Sequence, residues 1–302
     1  MYDIIIVGCG PAGMTAALYA LRAGQKVLVF EAKAYGGQIL KASIVENYPG
    51  VETTTGFDLA TKMYEQITKL GAEVKFEMVK KITKDREVMT DSGTYKAGAV
   101  ILATGSENRR LNIPNEVEYI GRGVSYCAAC DGHFFKGKDV AVVGGGNTAL
   151  EDANYLASIC NKVYLIHRSE SFRGDDKLVD DVEADSNVEI ILNSNVVSIS
   201  GDEVVNRITI KDKEENTRDI DISGLFIAVG QQPKNELFAD VVELDEKGYI
   251  KAIDDVHTTA PFIYVAGDTR AKELRQLTTA VSDGSLAATV AMREMKENGQ
   301  GN

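Results

Sequence analysis

Cys127-Ala-Ala-Cys130-Asp131-Gly132 is the stretch whose residue types and spacing could do chemistry. Two thiols three residues apart can form and break a disulfide within one turn, and disulfide exchange runs through a thiolate. A free cysteine, with a pKa of about 8.5, is only partly ionised near neutral pH, so a neighbouring proton acceptor helps. Asp131 follows Cys130 directly and suits that purpose, although Asp131-Gly132 on its own reads as a turn. Metal binding is the other chemistry open to this spacing. Cys127, Cys130 and His133 could ligate zinc, but a tetrahedral structural site wants a fourth ligand, and the remaining histidines are His167 and His257. Cys9 sits in a glycine loop and Cys160 in a helical pattern, so neither offers a second pair, and both read as small packed hydrophobes.

Such a turn needs a scaffold, and the composition bounds it. With 302 residues, 44% of them apolar and 26% charged, the chain suits a globular protein of about two domains. A formal charge of −12 argues against nucleic acid and against an anionic membrane surface, both of which call for clustered Lys and Arg. The chain enters an apolar strand at once, Met1-Tyr-Asp-Ile-Ile-Ile-Val, with no basic segment and cleavage site and no later run long enough to span a membrane. This points to a cytoplasmic protein without a membrane partner. Four cysteines are too few for a disulfide scaffold in a chain of this length.

Tyr2 to Val7 runs into Gly8-Cys9-Gly10-Pro11-Ala12-Gly13, followed by helical spacing to Arg22. In such a strand–glycine–helix unit Gly8 permits the tight turn, Gly10 lets the backbone approach a pyrophosphate, and Gly13 lets helix and strand pack closely. The phosphates then sit on the positive helix N-terminus. A second strand, Lys26 to Phe30, ends in Glu31, where a carboxylate can accept hydrogen bonds from an adenosine ribose.

The same unit recurs. Asp139 to Val143 leads into Gly144-Gly145-Gly146-Asn147-Thr148-Ala149, and one constant spacing separates Gly8 from Gly144, Lys26 from Lys162 and Glu31 from His167. The matched strand ends differ in charge. Glu31 suits free ribose hydroxyls, so the first site expects FAD or NAD; His167-Arg168, with Arg173 close behind, suits a 2′-phosphate, so the second expects NADP(H). Each unit also has a closing strand, Val100 to Thr104-Gly105 in one and Leu225 to Gly230 in the other.

Between these landmarks the pattern predicts a helix from about 56 to 70, strands over 74–91 and 94–97, a buried strand over 99–103, strands over 188–199 and 204–211, and a charged hairpin at Lys213 to Asn216. Since the second unit closes at Gly230, the buried run Phe262 to Gly267-Asp268 and the helix after Gln276 belong with the first. The expected fold is α/β: two Rossmann-like three-layer dinucleotide-binding domains, the second (113–242) inserted in the first (1–112 with 243–302).

Gly8-x-Gly10-Pro11-Ala12-Gly13, Gly36-Gly37-Gln38, Glu46-Asn47-x-Pro49-Gly50, Cys127-Ala-x-Cys130-Asp131-Gly132, Gly144 to Ala149, His167-Arg168 with Arg173, Gly267-Asp268 and Arg275-Gln276 stand in the order found in low-molecular-weight bacterial thioredoxin reductases. The chain resembles that family over essentially its whole length. The resemblance implies a homodimeric FAD enzyme that passes electrons from NADPH through the flavin to a Cys127–Cys130 disulfide and then to oxidised thioredoxin. It implies that Cys130 faces the flavin, Cys127 attacks the partner's disulfide and Asp131 manages the proton. It makes Asp268 the ligand of the FAD ribityl chain, and Gln38, Asn47 and Gln276 further FAD contacts. The glycine loop with Pro11 and Ala12, Gly37, Thr104, Gly105, Gly267 and Arg275 complete the FAD set. Gly144, Gly146, Asn147, Thr148, Ala149, His167, Arg168 and Arg173 form the NADPH set.

A dithiol packed against a flavin is not exposed to a protein disulfide, so the resemblance also implies rotation of the inserted domain about its connections. The chain departs from the family pattern at Ser169, where the usual motif is His-Arg-Arg. That leaves NADH open as a donor. Reduced ferredoxin serves some relatives with eroded nucleotide motifs, whereas Gly144 to Ala149 is intact here. Other acceptors remain open: a small-molecule dithiol with oxygen, or a peroxidase partner, whose reductase usually carries an added N-terminal thioredoxin-like domain that this sequence lacks. A non-catalytic flavin redox sensor is a further alternative.

Overall fold

β1 (Tyr2–Val7) is continuously apolar because it lies inside a sheet covered on both faces: Ile4, Ile5 and Ile6 expose nothing. In this computed structural model, which describes residues 1–42 and 44–299, the chain turns at Gly10 into α1 (Pro11–Arg22), with proline at the helix start where its missing N–H costs no bond. β2 (Val27–Phe30) pairs parallel to β1. α2 (Gly56–Lys69) is capped by Thr55, whose Oγ1 accepts the Asp58 N–H at 3.0 Å. β3 (Glu73–Lys75) then pairs parallel to β2, and β4 (Lys81–Ile82), β5 (Glu87–Thr90) and β6 (Gly93–Leu102) follow as antiparallel neighbours.

The expected strand over 74–91 is thus three short pieces, while the two expected over 94–97 and 99–103 are one. β6 starts antiparallel to β5 and ends parallel to β1. Gly98 keeps it continuous: a Cβ there would lie 2.7 Å from Met295 Sδ and 3.0 Å from Asp3 O.

After β7 (Glu107–Asn108) the chain enters its second unit with β8 (Val124–Ser125) and the single turn α3 (Ala128–Asp131). Then come β9 (Asp139–Val143), α4 (Asn147–Ala157), β10 (Lys162–Ile166), α5 (Asp176–Ala184) and β11 (Val188–Ile191). β12 (Asn195–Gly201), β13 (Val205–Lys211) and β14 (Thr217–Asp221) form an antiparallel sheet of their own. β15 (Gly224–Ile227) returns to the parallel sheet, whose order is β11-β10-β9-β15-β8. The expected strand over 188–199 breaks where Asn193 takes a left-handed φ of 54°.

β16 (Gln231–Gln232) pairs with β7, and β17 (Ile263–Val265) pairs parallel with β6, followed by α6 (Leu277–Glu297). α6 packs on α1 through small residues, Gly284 so closely that a Cβ would come within 2.2 Å of Ala12 O. No helix of the described residues is long and apolar enough to cross a membrane.

The chain divides into two compact units, Met1–Glu107 with the described residues from Gln232 onward, and Asn108–Gln231. These bounds fall short of the expected 112/113 and 242/243. Leu111 packs with the second unit's core, whereas Phe238, Val241 and Val242 are buried with Ile5, Leu28 and Val100 of the first.

His257 ties the segment ahead of β17 to α6. Its Nδ1 lies 2.7 Å from Asp254 Oδ2 and its Nε2 2.6 Å from Glu294 Oε1, and Tyr264 donates to Glu294 Oε2 at 2.7 Å. Burial opposes the charged ring, but the Glu294 and Asp254 hydrogen bonds carry the His257 pKa above its ordinary 6.5. Arg293 and Arg86 act on the same cluster through Tyr264. A histidine raised on folding contributes stability that is fully present below the unfolded value and is lost as pH rises through the folded one. The gain in thermal midpoint of the parent over His257→Gln is therefore expected to be largest below about pH 6.5 and to shrink above it. A difference that does not change with pH would contradict this.

Candidate active site

Cys127 and Cys130 are joined, with Cα atoms 5.3 Å apart, in the turn that leaves the carboxyl end of β8. Cys127 caps α3 from an extended conformation, and its carbonyl accepts the N–H groups of Cys130 at 3.2 Å and Asp131 at 3.1 Å. That single helical turn places the Asp131 carboxylate back over the strand end, where Ser125 Oγ donates to Asp131 Oδ2 at 2.6 Å. Burial raises the Asp131 pKa, against the lowering effects of the Ser125 hydrogen bond and of His133. A carboxyl group so placed takes up a proton more readily than an exposed aspartate, which suits a partner for a thiol.

Tyr126 is fixed on the other side of the strand end, its hydroxyl donating to Glu116 Oε1 at 2.6 Å. Glu116, 1% exposed, also accepts the Leu111 N–H at 3.1 Å and the Asn112 N–H at 2.7 Å. Without it the Tyr126 hydroxyl and the Leu111 and Asn112 N–H groups would lose the acceptor they share.

The first glycine loop distinguishes its residues by what surrounds them. A Cβ on Gly8 would come within 2.2 Å of Ala103 O, and one on Gly13 within 1.9 Å of Gly8 O, so both are demanded by the fold. At Gly10 nothing lies nearer than Gly37 Cα at 3.9 Å, so the protein itself has no need of glycine there. The second loop repeats this. Gly144 meets Ala228 O at 2.5 Å, the counterpart of Ala103, while Gly146 has nothing within 4 Å. An open glycine at a helix N-terminus is a cradle that a Cβ would partly fill, and a pyrophosphate fits it.

Glu31 holds the first loop, Oε2 accepting the Cys9 N–H and Oε1 the Lys33 N–H, each at 2.9 Å. Gly36 donates to Cys9 O at 2.7 Å, which lays Gly37 beside Gly10. Gln38 donates to Ser106 O, and Asn47 donates to Gln276 Oε1 at 3.4 Å. Asn47 also lines a hollow formed by residues 46–52. Thr104 bonds Thr269 at 2.9 Å and Asn235 at 3.2 Å, so its hydroxyl is engaged within the protein, ahead of Gly105 at φ 69°.

Gly267 at φ 78° stands against Ala12, and its N–H is held by the buried Asp283 at 3.0 Å. Asp268 Oδ1 is buried without a hydrogen-bond partner, with Lys272 Nζ 3.7 Å away. Burial raises the Asp268 pKa against Lys272 and Arg275, and Arg275 Nε reaches the Asp268 carbonyl at 3.4 Å. A buried carboxylate oxygen that accepts no hydrogen bond, together with an open glycine cradle, fits a polyhydroxyl dinucleotide such as FAD, whose hydroxyl would donate to it.

At the second loop the residues expected to touch a coenzyme separate. His167 is buried with its ring under Gly145, where a Cβ would come within 2.2 Å, and stacks on Phe172. Burial, then Arg173 and Arg168, lower its pKa, and Nε2 has no partner. His167 therefore supports the loop from beneath as a neutral ring. Arg168 and Arg173 are exposed, and Arg173 N–H bonds Gly145 O at 2.7 Å. Asn147 exchanges hydrogen bonds with Asp175 at 2.8 and 2.9 Å. Thr148 is exposed, and Ala149 packs on Gly144.

Among the described residues no group of three or more His, Cys, Asp or Glu is arranged to hold a metal. Ser125, Glu116 and Asp283 escaped sequence reasoning; Ser125 stands two residues before Cys127, but nothing in the spacing announces its bond to Asp131.

Residues 2–284 match the pyridine nucleotide-disulphide oxidoreductase family. The chain is 42% identical to a thioredoxin reductase of Listeria innocua, covering 98% of this chain and 95% of the relative. It is 41% identical to one of Treponema pallidum, covering 96% of each. Among solved structures, a thioredoxin reductase from Streptococcus pyogenes superposes with a TM-score of 0.93 at 41% identity, over 98% of this chain and 99% of that one. One from Giardia duodenalis gives 0.91 at 36% identity over 98% and 99%.

The contrast between open and packed glycines is directly testable. Gly10→Ala is expected to fold as the parent does, by circular dichroism and melting, yet to lose most of its bound flavin absorbance. Gly13→Ala is expected to lower the melting temperature as well. Retention of flavin by Gly10→Ala would contradict the assignment.

Proposed function

The chain belongs to the pyridine nucleotide-disulphide oxidoreductase family, and on that premise we propose that it is a thioredoxin-disulfide reductase, moving electrons from NADPH by way of FAD to Cys127–Cys130 and on to oxidised thioredoxin. The observation that carries this is the Cys127–Cys130 turn at the carboxyl end of β8, in the same sheet whose β9 delivers the glycine loop. When bound, FAD supplies a two-electron relay between nicotinamide and disulfide.

Around that relay the chain's own groups have separate tasks. Gly10 and the start of α1 would receive the pyrophosphate, Glu31 the adenosine ribose, and the unpartnered Asp268 Oδ1 a hydroxyl of the ribityl chain. Gln38, Asn47 and Gln276 would close over the rest. Arg168 and Arg173, exposed and without an ion pair among the described residues, would meet the 2′-phosphate of NADPH.

Once the pair is reduced, the Cys127 thiolate attacks one sulfur of the thioredoxin disulfide, forming a mixed disulfide and releasing the other sulfur as a thiolate. Cys130 then attacks Cys127 Sγ, which reforms the Cys127–Cys130 bond and frees thioredoxin as a dithiol. Asp131 holds and returns the proton that these steps exchange. The reading includes a cytoplasmic homodimer, and rotation of the second unit about its two connections to present the same turn first to its reductant and then to thioredoxin.

Purified protein is expected to sustain NADPH oxidation beyond the first equivalents only when oxidised thioredoxin is supplied, and Cys127→Ser and Cys130→Ser are each expected to reduce this turnover to background. Thioredoxin reduction that survives both variants would overturn the proposal.

Ser169 favours a second donor. One charge-assisted hydrogen bond contributes about 1.5–3 kcal/mol, and 1.4 kcal/mol is a factor of ten. Ser169→Arg is expected to raise the kcat/KM ratio of NADPH over NADH by about tenfold. An unchanged ratio would mean that residue 169 does not face the 2′ position.

A further inference from the structure

We propose that Ser125 is a positioning residue for the redox turn, its buried hydroxyl clamping the Asp131 carboxylate and the Cys127 backbone into one hydrogen-bonded unit. The proposal rests on the reading of Cys127 and Cys130 as a dithiol–disulfide couple.

The donor count fixes the direction of the clamp. A serine hydroxyl has one proton and two lone pairs. The Cys127 N–H donates to Ser125 Oγ at 3.1 Å and occupies a lone pair. The proton has two acceptors in reach, Asp131 Oδ2 at 2.6 Å and Cys127 O at 3.4 Å, and the short contact to the carboxylate wins. A contact this short between a hydroxyl and a carboxylate is a charge-assisted bond, so it favours the ionised form of Asp131.

Ser125 is 6% exposed at the last position of β8, so water does not replace its hydroxyl freely. Val124, one residue earlier, points into the core of the second unit, and strand alternation turns Ser125 to the opposite face. The turn of α3 brings Asp131 back to it across six residues.

The consequence concerns one proton. When a Cys127 or Cys130 thiol ionises, the proton passes to Asp131, giving a thiolate and a neutral carboxyl group; Ser125 keeps its own proton throughout. Burial pushes Asp131 toward holding its proton, and the Ser125 bond acts against that push. Ser125 thereby keeps Asp131 ready to accept. Among the described residues, other titratable groups near the turn are Tyr126 with its partner Glu116 directly ahead of Cys127, His133 in the segment after α3 and, on α4 packed against it, Glu151, Asp152 and Tyr155. Of these, Asp152 is pushed up to about 7 by burial and Glu151. A single pH profile could therefore mix Asp131 with Asp152, and only the variant comparison isolates Asp131.

The test is single-turnover reoxidation of dithiothreitol-reduced holoenzyme from about pH 5 to pH 9, with thioredoxin disulfide in one arm and a small aromatic disulfide in the other. Ser125→Ala is expected to move the limb governed by Asp131 upward by about half a pH unit or more, in both arms. Ser125→Thr, which keeps the hydroxyl, is expected to retain the parent profile. In an Asp131→Asn background, Ser125→Ala is expected to move nothing. Superposition of the Ser125→Ala and parent profiles would overturn the proposal, as would the same shift persisting without the Asp131 carboxylate. Reaction with the aromatic disulfide but not with thioredoxin would instead refute the acceptor named above and leave the Ser125 comparison readable.

Discussion

A parallel strand delivers the loop that follows it to one edge of the sheet, and both units depend on that constraint. In the first unit Gly8 follows β1, Glu31 follows β2, Thr104 follows β6 and Gly267-Asp268 follows β17, all of them parallel neighbours. In the second, Cys127 follows β8, Gly144 follows β9, His167 follows β10 and Gly230 lies beyond β15, again in one parallel sheet. Residues far apart in the chain meet at the carboxyl edge of each sheet because the strands leave them nowhere else. The redox turn and the second glycine loop thus share an edge without being neighbours in sequence.

Duplication supplies the frame, and small differences at matched positions supply the roles. Gly8 and Gly144 are both pressed against a carbonyl of the closing strand, and Gly10 and Gly146 are both left open. The strand ends then diverge. Glu31 uses its oxygens to grip backbone N–H groups of the first loop, whereas His167 slides under Gly145 as a neutral ring and leaves positive charge to Arg168 and Arg173. Beneath Gly267, Asp283 is met by Lys272 at 2.9 Å and Arg270 at 3.1 Å, so the carboxylate that holds this loop is itself neutralised. The neighbouring Asp268 keeps one oxygen free of hydrogen bonds. A buried acceptor with no hydrogen bond is costly, and here only the Lys272 ammonium 3.7 Å away offsets it.

Much of this was legible in the chain, because glycine turns, strand ends and a Cys-x-x-Cys are local signals. Gly8 and Gly13 are packed as a tight turn and a close helix–strand contact require, Gly10 is left open, and the run Phe262 to Gly267 does return to the first sheet. What escaped was non-local or weak. α5 has only Val182 fully buried, too thin an apolar stripe to be seen in a polar stretch. The division between the units is set by Leu111 and Phe238 choosing different cores, which no linker composition records. Ser125, Glu116 and Asp283 each act through one tertiary hydrogen-bond set, and a serine, a glutamate and an aspartate in ordinary surroundings carry no periodic trace of that. His167 was visible as a strand-end residue, but its burial under Gly145 depends on packing alone.

The most direct measurement is differential thiol alkylation of anaerobic holoenzyme before and after stoichiometric NADPH, and again after oxidised thioredoxin. Cys127 and Cys130 should be protected at first, labelled after NADPH and protected once more after thioredoxin, while the buried Cys9 and Cys160 stay constant. Bleaching of the flavin by NADPH with Cys127 and Cys130 still protected would show that the electrons do not reach this disulfide.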